Sequence, residues 1–393
     1  NIAEGSIIGG SKISRVKALR QGLAESKVAQ VLEDLSIPTT SKEAGVGVQA
    51  ARETAVRQFH ELDAEIRRPD PDAVYEEVMR ETMHRAAHRG PGLLGYALPH
   101  YPVLERLNDG FPKQRCLITI GGLPSSGKST LVRSLLFEIA AHNPDAQCLY
   151  MSIDDSTSYV LESWVAALSG IKVRRVRKRA VLTPPEKERW NDAWRTVHTM
   201  KNLRVWDRTQ GASVTDMVRH LAFYLRQYPD RKPVVFIDSF HAMDSSTPND
   251  IRQQTIQNVK DLKRLAADYD IPIIMVGQVT KPQQPTTGRR HTFQQDDPMY
   301  RRPQPRDLAE SVQIWYESEM VWMVHSDLQA QPGSWLRWTY TDLDGHHPMP
   351  YLEVYAWKNK DGGGEIMTEW KDQAFFKLNR LVSSIEPITV EEL

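Results

Sequence analysis

Apolar residues follow two different spacings along the chain. Between residues 11 and 89 they recur at threes and fours in SRVKALRQGLAESKVAQVLEDL, EAGVGVQAARETAVRQFHELDAEIRR and PDAVYEEVMRETMHRAAHR, separated by SIPTTSK and RPDP. That period is helical and the breaks stop helices, so residues 1–95 are expected to form a helical arm or small helical domain. GPGLLGYALPHYP, rich in Pro and Gly, is the junction. From Leu117 the pattern changes. Short β-branched runs alternate with helical ones: CLITI, KSTLVRSLLFEIAAH, QCLYMSI, SYVLESWVAALSG, LRVWD, SVTDMVRHLAFYLRQY, PVVFIDSF, a long helix around Ile251 to Tyr269, and IPIIMVGQV. This rhythm predicts an α/β fold over 96–385, a mainly parallel sheet flanked by helices. After Val321, WLRWTYT, YLEVYAWK and GEIMTEW follow one another, which predicts hairpins extending one sheet edge as a C-terminal β extension.

Composition narrows the class. Of 393 residues 25% are charged and 40% hydrophobic, and no apolar run approaches the roughly 20 residues of a membrane helix. A membrane span is therefore excluded. The 50 basic and 50 acidic residues cancel, so a nucleic-acid contact must come from a local basic patch. Two cysteines in strand-like runs, Cys116 and Cys148, suit buried reduced thiols and a cytosolic protein. The opening NIAEGSIIGGSKIS has no apolar centre of a signal peptide, and a chain starting at Asn1 is expected to be a piece of a longer protein or a processed one.

Gly122-Leu-Pro-Ser-Ser-Gly127-Lys128-Ser129 fits G-x-x-x-x-G-K-[ST], between a strand and an amphipathic helix. Glycines at both ends let the backbone wrap a phosphate. Amides through Ser125, Ser126 and Thr130 point at the anion, Lys128 reaches the β- and γ-phosphates, and Ser129 is expected to hold Mg²⁺. ATP and Mg²⁺ are the implied cofactors. Asp238 ends the apolar run PVVFID, where ligands bind in open α/β sheets, and is the natural second partner of Mg²⁺ through water. Asp154 and Asp155 end the strand CLYMSI. Asp154 is preferred as the group that orients or deprotonates the attacking water, with capping of the helix near Thr157 as the competing task for either. Gln278, ending IPIIMVGQ, is placed to sense the γ-phosphate.

RPQPRD followed by LAESVQIWYESEMVWMV resembles the segment R-P-x-x-x-D-L-R-E-S-G-x-I-E-x-D-A-D of replicative ring helicases of the DnaB-like family, with Asp307, Leu308, Glu310, Ser311 and Ile314 on it. LPHYPVLERLNDGFPKQRCLITIGG resembles that family's lead-in to the phosphate loop, and EVYAWKNKDGGGE its K-x-R-x-G-x-x-G strand; together these cover about residues 96–380. The resemblance implies a RecA-like, hexameric, ATP-driven helicase that threads single-stranded DNA, with ATP between subunits and a primase or loader as partner. Lys358 and Lys360 fall on positions that supply a cation to the neighbouring subunit. Asp154 stands where the family has Glu, Lys360 where it has Arg, and ESE (317–319) replaces D-A-D. An ammonium is a point charge and a guanidinium a bidentate fork, so slower hydrolysis is the expected consequence. A recombinase- or clock-type ATPase and a nucleotide-bound scaffold are the alternative readings.

DNA contacts are expected from KPQQPTTGRRHTFQQDDPMYRRPQPR, where Lys281, Arg289, Arg290, Arg301, Arg302 and Arg306 outnumber two Asp. A second basic cluster, KVRRVRKR (172–179), reads as the solvated face of a helix. His241, His346 and His347 have no metal-ligand companions at useful spacing, and Trp190, Trp194, Trp315 and Trp322 fall in apolar periodic runs.

Overall fold

The computed structural model describes residues 71–87, 92–245, 251–279, 303, 307–308, 312–326, 337–360 and 373–388. The first two helix-like stretches, the basic loop with Lys281, Arg289, Arg290, Arg301, Arg302 and Arg306, Glu310, Ser311 and the run GEIMTEW lie outside the described residues. The chain divides into two units between Gly92 and Leu93. In the first, the third helix-like stretch is α1 (Pro71–Ala87), and it exposes Val74, Tyr75, Val78, Met79 and Met83.

The second unit opens with a lead-in that Tyr96 and Phe111 close as an antiparallel bridge around α2 (Pro102–Arg106). β1 (Cys116–Gly122) follows, then α3 (Lys128–His142), β2 (Ala146–Ser152), α4 (Thr157–Ser169), α5 (Val173–Val176), α6 (Pro184–Thr199), β3 (Leu203–Asp207) and α7 (Val214–Gln227). β4 (Lys232–Asp238), α8 (Ile251–Tyr269), β5 (Pro272–Gln278), α9 (Val312–Glu317) and β6 (Met320–His325) complete the alternating part. β7 (Arg337–Asp342), β8 (Gly345–Asn359), β9 (Ala374–Asn379) and β10 (Ser384–Pro387) then succeed one another.

One sheet joins them, in the order β10-β9-β8-β6-β1-β5-β4-β2-β3, with β7 paired to β8. From β6 to β3 every pairing is parallel; from β6 through β8 and β9 to β10 every pairing is antiparallel. The central parallel strands are mostly apolar, as strands covered on both faces are; β1 and β2 are buried at all positions, and the edge strand β3 is only half-buried. Phe111 stacks on Phe236 and meets Trp322 edge-on, each at 6.0 Å, so the lead-in packs into the sheet core. Trp190 and Trp194 pack on a smaller cluster of Val165, Ile171, Val176 and Leu182. Cys116 and Cys148 are buried and outside any disulfide.

Two expectations change. The pattern did not announce β9 and β10, because AFFKLN and SIEP are short and reach their pairing only through the long strand β8. The cluster 172–179 is not one helix face: α5 is a single turn, followed by a 3-10 turn at Arg179–Val181. Val173 and Val176 are buried there. Lys172 pairs with Asp342 and Asp344, Arg175 with Glu186 and Arg177 with Glu162, so half of that positive charge is spent inside the fold. Among the described residues no helix is long and apolar enough to cross a membrane.

Candidate functional site

Strand register brings the expected chemistry to one level. Gly122 on β1 pairs with Gln278 on β5, and Ser152 on β2 pairs with Asp238 on β4, so four carboxyl ends face the same side. Between β1 and α3 the chain turns through left-handed residues, Ser125 at φ 59° and Gly127 at φ 98°. A Cβ on Gly127 would stand 2.8 Å from Leu378 Cδ2, so this turn needs glycine on two counts. Ser126 is buried, and its Oγ has no hydrogen-bond partner among the described residues. Ser129 and Thr130 occupy the first turn of α3, half-buried.

Lys128 is 6% exposed and donates to the carbonyl oxygens of Gly122 (2.9 Å) and Leu123 (2.7 Å). Burial pushes its ammonium down to about 8, while Asp238 and Asp154 work in the opposite direction. Both acids therefore lie within electrostatic range of the lysine. Asp238 is buried and accepts from the Tyr150 hydroxyl at 2.7 Å. Burial raises the Tyr150 phenol, and Asp238 raises it further. Asp154 is exposed at the end of β2; partial desolvation raises its carboxyl, as do Asp238 and Asp155, against a hydrogen bond from Ser239 and the charge of Arg208.

Neither aspartate caps α4. Ser156 does so, accepting from the Tyr159 N–H at 3.3 Å, and Asp207 at the end of β3 accepts the Thr157 N–H at 2.8 Å. Asp155 instead pairs with Arg133, a buried guanidinium on α3 that also donates to Ser163 Oγ at 3.2 Å and whose charge favours ionisation of Tyr150 against the burial that opposes it. Asp155, Arg133, Tyr150 and Asp238 thus form one chain of polar contacts behind the site. Sequence reasoning passed over it. Its signal was a charged residue inside the apolar run LVRSLL and a hydroxyl-bearing ring inside CLYMSI.

The remaining candidates separate. Gln278 is exposed beside the loop. Leu308 forms an isolated bridge with Val279, and a Cβ on Gly121 would stand 2.6 Å from Leu308 Cδ2. Lys358 donates to the carbonyls of Trp315 (2.6 Å) and Tyr316 (3.3 Å) at the end of α9; burial lowers its ammonium, and Lys360 lowers it further. Lys360 is exposed, and its backbone N–H bonds Glu319, whose own N–H bonds Leu117. Both lysines lie beside the amino ends of β1 and β6, opposite the phosphate loop.

The loop fits a nucleoside triphosphate: a left-handed glycine turn, a buried hydroxyl unpartnered among the described residues, and a buried ammonium within electrostatic range of two carboxylates. Ser129 and Asp238 are the residues that could hold a divalent cation there.

Residues 99–371 match the family model described as the DnaB-like helicase C terminal domain. The chain is 24% identical over 277 residues to a probable replicative DNA helicase of Trieres chinensis, covering 69% of this chain and 56% of that protein. It is 23% identical over 233 residues to replicative DNA helicase DnaB of Treponema pallidum, covering 57% and 46%. The chain spans about half the length of these curated relatives. Among solved structures, one described as an ATPase domain superposes with a TM-score of 0.64 at 17% identity, covering 80% of this chain and 98% of that one. A DnaB-like replicative helicase, solved with attention to its interactions with primase, gives 0.64 at 16% identity, covering 94% and 77%. These two likenesses show the fold, RecA-like with helices on both faces of the sheet.

Proposed function

The chain belongs to the DnaB-like helicase family, and from that premise we propose that it is an ATP-driven motor that assembles as a hexameric ring and translocates on single-stranded DNA. The observation that carries this reading is the gathering of buried Lys128, buried Asp238 and exposed Asp154 at the carboxyl ends of parallel strands β1, β4 and β2 of one sheet.

The loop amides from Gly122 to Gly127 and the Lys128 ammonium bind the triphosphate, giving up the lysine's bonds to Gly122 and Leu123. Ser129 and Asp238 would hold Mg²⁺, which would neutralise charge on the phosphate oxygens. Asp154 accepts the proton of the attacking water; its raised carboxyl makes it a better base than an ordinary aspartate. Gln278 takes the sensing role from its place beside Gly122.

Val279 and Leu308 form the base of the basic loop and bridge to each other directly at the ends of β1 and β5. That anchoring supports a role for Lys281, Arg289, Arg290, Arg301, Arg302 and Arg306 as phosphate contacts that respond to the nucleotide. Lys360 of one subunit completes the site of the next. A primase or loader is the further partner, in line with the interactions of the structural neighbour, and two buried cysteines outside disulfides support a reducing compartment.

The test is ATP turnover and strand displacement on a forked duplex. DNA-stimulated hydrolysis and unwinding are expected, both lost in Lys128→Ala. Hydrolysis surviving that change would remove the lysine from the site, and hydrolysis without displacement would favour a non-unwinding ATPase.

A further inference from the structure

α3 starts at the phosphate loop, and its other end carries a cluster that the nucleotide chemistry leaves unused. Glu138 and His142 lie one helical turn apart on the same face. His100, from the lead-in just before α2, reaches them. The Glu138 carboxylate is buried, at 8% side-chain exposure, while the His100 and His142 side chains are 68% and 36% exposed. Glu138 Oε1 accepts the His100 backbone N–H at 2.9 Å; Oε2 stands 2.9 Å from His100 Nδ1 and 3.6 Å from His142 Nε2. One ligand atom from each residue lies within 4.8 Å of the others, and the two rings are 5.2 Å apart.

Hydrogen bonding accounts for part of this arrangement. The 3.6 Å separation to His142 is too long for a hydrogen bond, yet both imidazoles converge on one carboxylate, His100 Nδ1 on both of its oxygens and His142 on Oε2. Four-coordinate zinc, with bonds of about 2.0–2.2 Å to nitrogen and oxygen, sets its ligand atoms roughly 3.3 Å apart. The observed separations lie on either side of that figure. Two neutral imidazoles and one carboxylate suit Zn²⁺ in softness and charge, whereas Mg²⁺ and Ca²⁺ favour all-oxygen sets.

Two further features favour a cation here. The carboxyl end of α3 carries the negative pole of the helix, and the His100 backbone N–H on Oε1 holds the carboxylate in place, with His100 Nδ1 3.0 Å from Oε1 and 2.9 Å from Oε2 and His142 Nε2 on the Oε2 side. Exposure of both histidines leaves a fourth position open to water.

We propose that His100, Glu138 and His142 form a zinc site tying the lead-in segment to the end of α3. With α3 at 15 residues, the site stands roughly 20 Å from the phosphate loop, so it is separate from the nucleotide. Asn143 already clips the same segment through Ala97 in both directions, and zinc adds a second clamp.

The test uses the full chain, stripped with a chelator and titrated with ZnCl₂ under saturating Mg²⁺. One zinc equivalent is expected to disappear in His142→Ala and in His100→Ala, with ATP binding retained. Glu138→Gln keeps an acceptor for the His100 N–H, so it separates ligand loss from loop loosening. It is expected to weaken zinc by more than the roughly 10–100-fold that loss of a supporting partner costs. Zinc is also expected to raise the unfolding temperature of the unaltered chain and not that of the double histidine variant. Equal zinc uptake by the unaltered chain and the double variant, or no uptake by either, overturns the site.

Discussion

Asp238 and Lys128 are opposite charges removed from water in one site, and each is held by a contact that can be tested singly. Tyr150 donates to Asp238 from inside β2, and burial keeps its phenol protonated, so the donor is present at any working pH. A hydrogen bond to a charged group is worth about 1.5–3 kcal/mol. Tyr150→Phe keeps the ring and removes that bond. The Mg²⁺ concentration for half-maximal hydrolysis is expected to rise roughly tenfold, the equivalent of ~1.4 kcal/mol; an unchanged Mg²⁺ titration would leave Tyr150 a packing role alone. Lys128 gives a pH prediction. Its ammonium is pulled down to about 8, and a bound polyphosphate stabilises the charged form, so binding above that pH must draw in a proton. Below pH 8 the lysine is already charged. ATP affinity is therefore expected to be level on the acid side and to fall as pH rises through 8, with calorimetric proton uptake on the alkaline side only. Uptake that does not change across pH 8 would mean that the ammonium is not the group being paired.

Elements explain which of these residues could be read from the chain alone. The loop from Gly122 to Ser129 has a local signature, and strands such as PVVFID and PIIMVGQ state their burial in their composition, so Lys128, Asp238 and Gln278 come directly from the pattern. Asp155 and Asp207 do not. Their partners, Arg133 and Thr157, are 22 and 50 residues away in sequence, and only the adjacency of β2, β3 and α3 in the fold joins them. The histidine cluster was illegible for the same reason, since His100 precedes Glu138 by 38 residues. Asp207 serves α4, the helix that follows the Asp154 turn. Hydrogen bonds from the Thr157 backbone and the Thr209 hydroxyl hold its carboxyl down to about 2, against a smaller opposing effect of desolvation. Asp207→Ala is expected to cost about 1 kcal/mol in chemical denaturation, the usual worth of a helix cap. The carboxylate's folded value is depressed, so its contribution is complete above the ordinary aspartate range and disappears as pH falls through about 2. The two chains should differ in stability at neutral pH and converge in strong acid; a gap that persists there assigns the loss to packing.

On the scale of the whole molecule, the sheet sets where a subunit's own groups can act. Its parallel half carries the phosphate loop at the carboxyl end of β1, while β8 runs antiparallel to β6, and its last residues return to the opposite end. Met320 pairs with both Ile118 and Asn359, so Lys360 stands four to five residues back along β1 from Gly122. At about 3.3 Å per residue that is roughly 15 Å, beyond the reach of a lysine side chain toward its own triphosphate. If Lys360 serves hydrolysis, it serves a neighbour, as a head-to-tail ring permits. Lys128→Ala removes a subunit's own nucleotide grip but leaves its Lys360 to offer, and Lys360→Ala does the reverse. Each variant alone is expected to be inactive. Mixed before assembly, they create a minority of interfaces in which an intact loop meets an intact Lys360, and DNA-stimulated hydrolysis is expected to return in part. Activity that stays absent across all mixing ratios, with nucleotide binding by Lys360→Ala intact and mixed rings seen by mass measurement, would place the completing cation elsewhere. Return in the mixture ties the orientation of one strand in the sheet to the order of subunits in the ring.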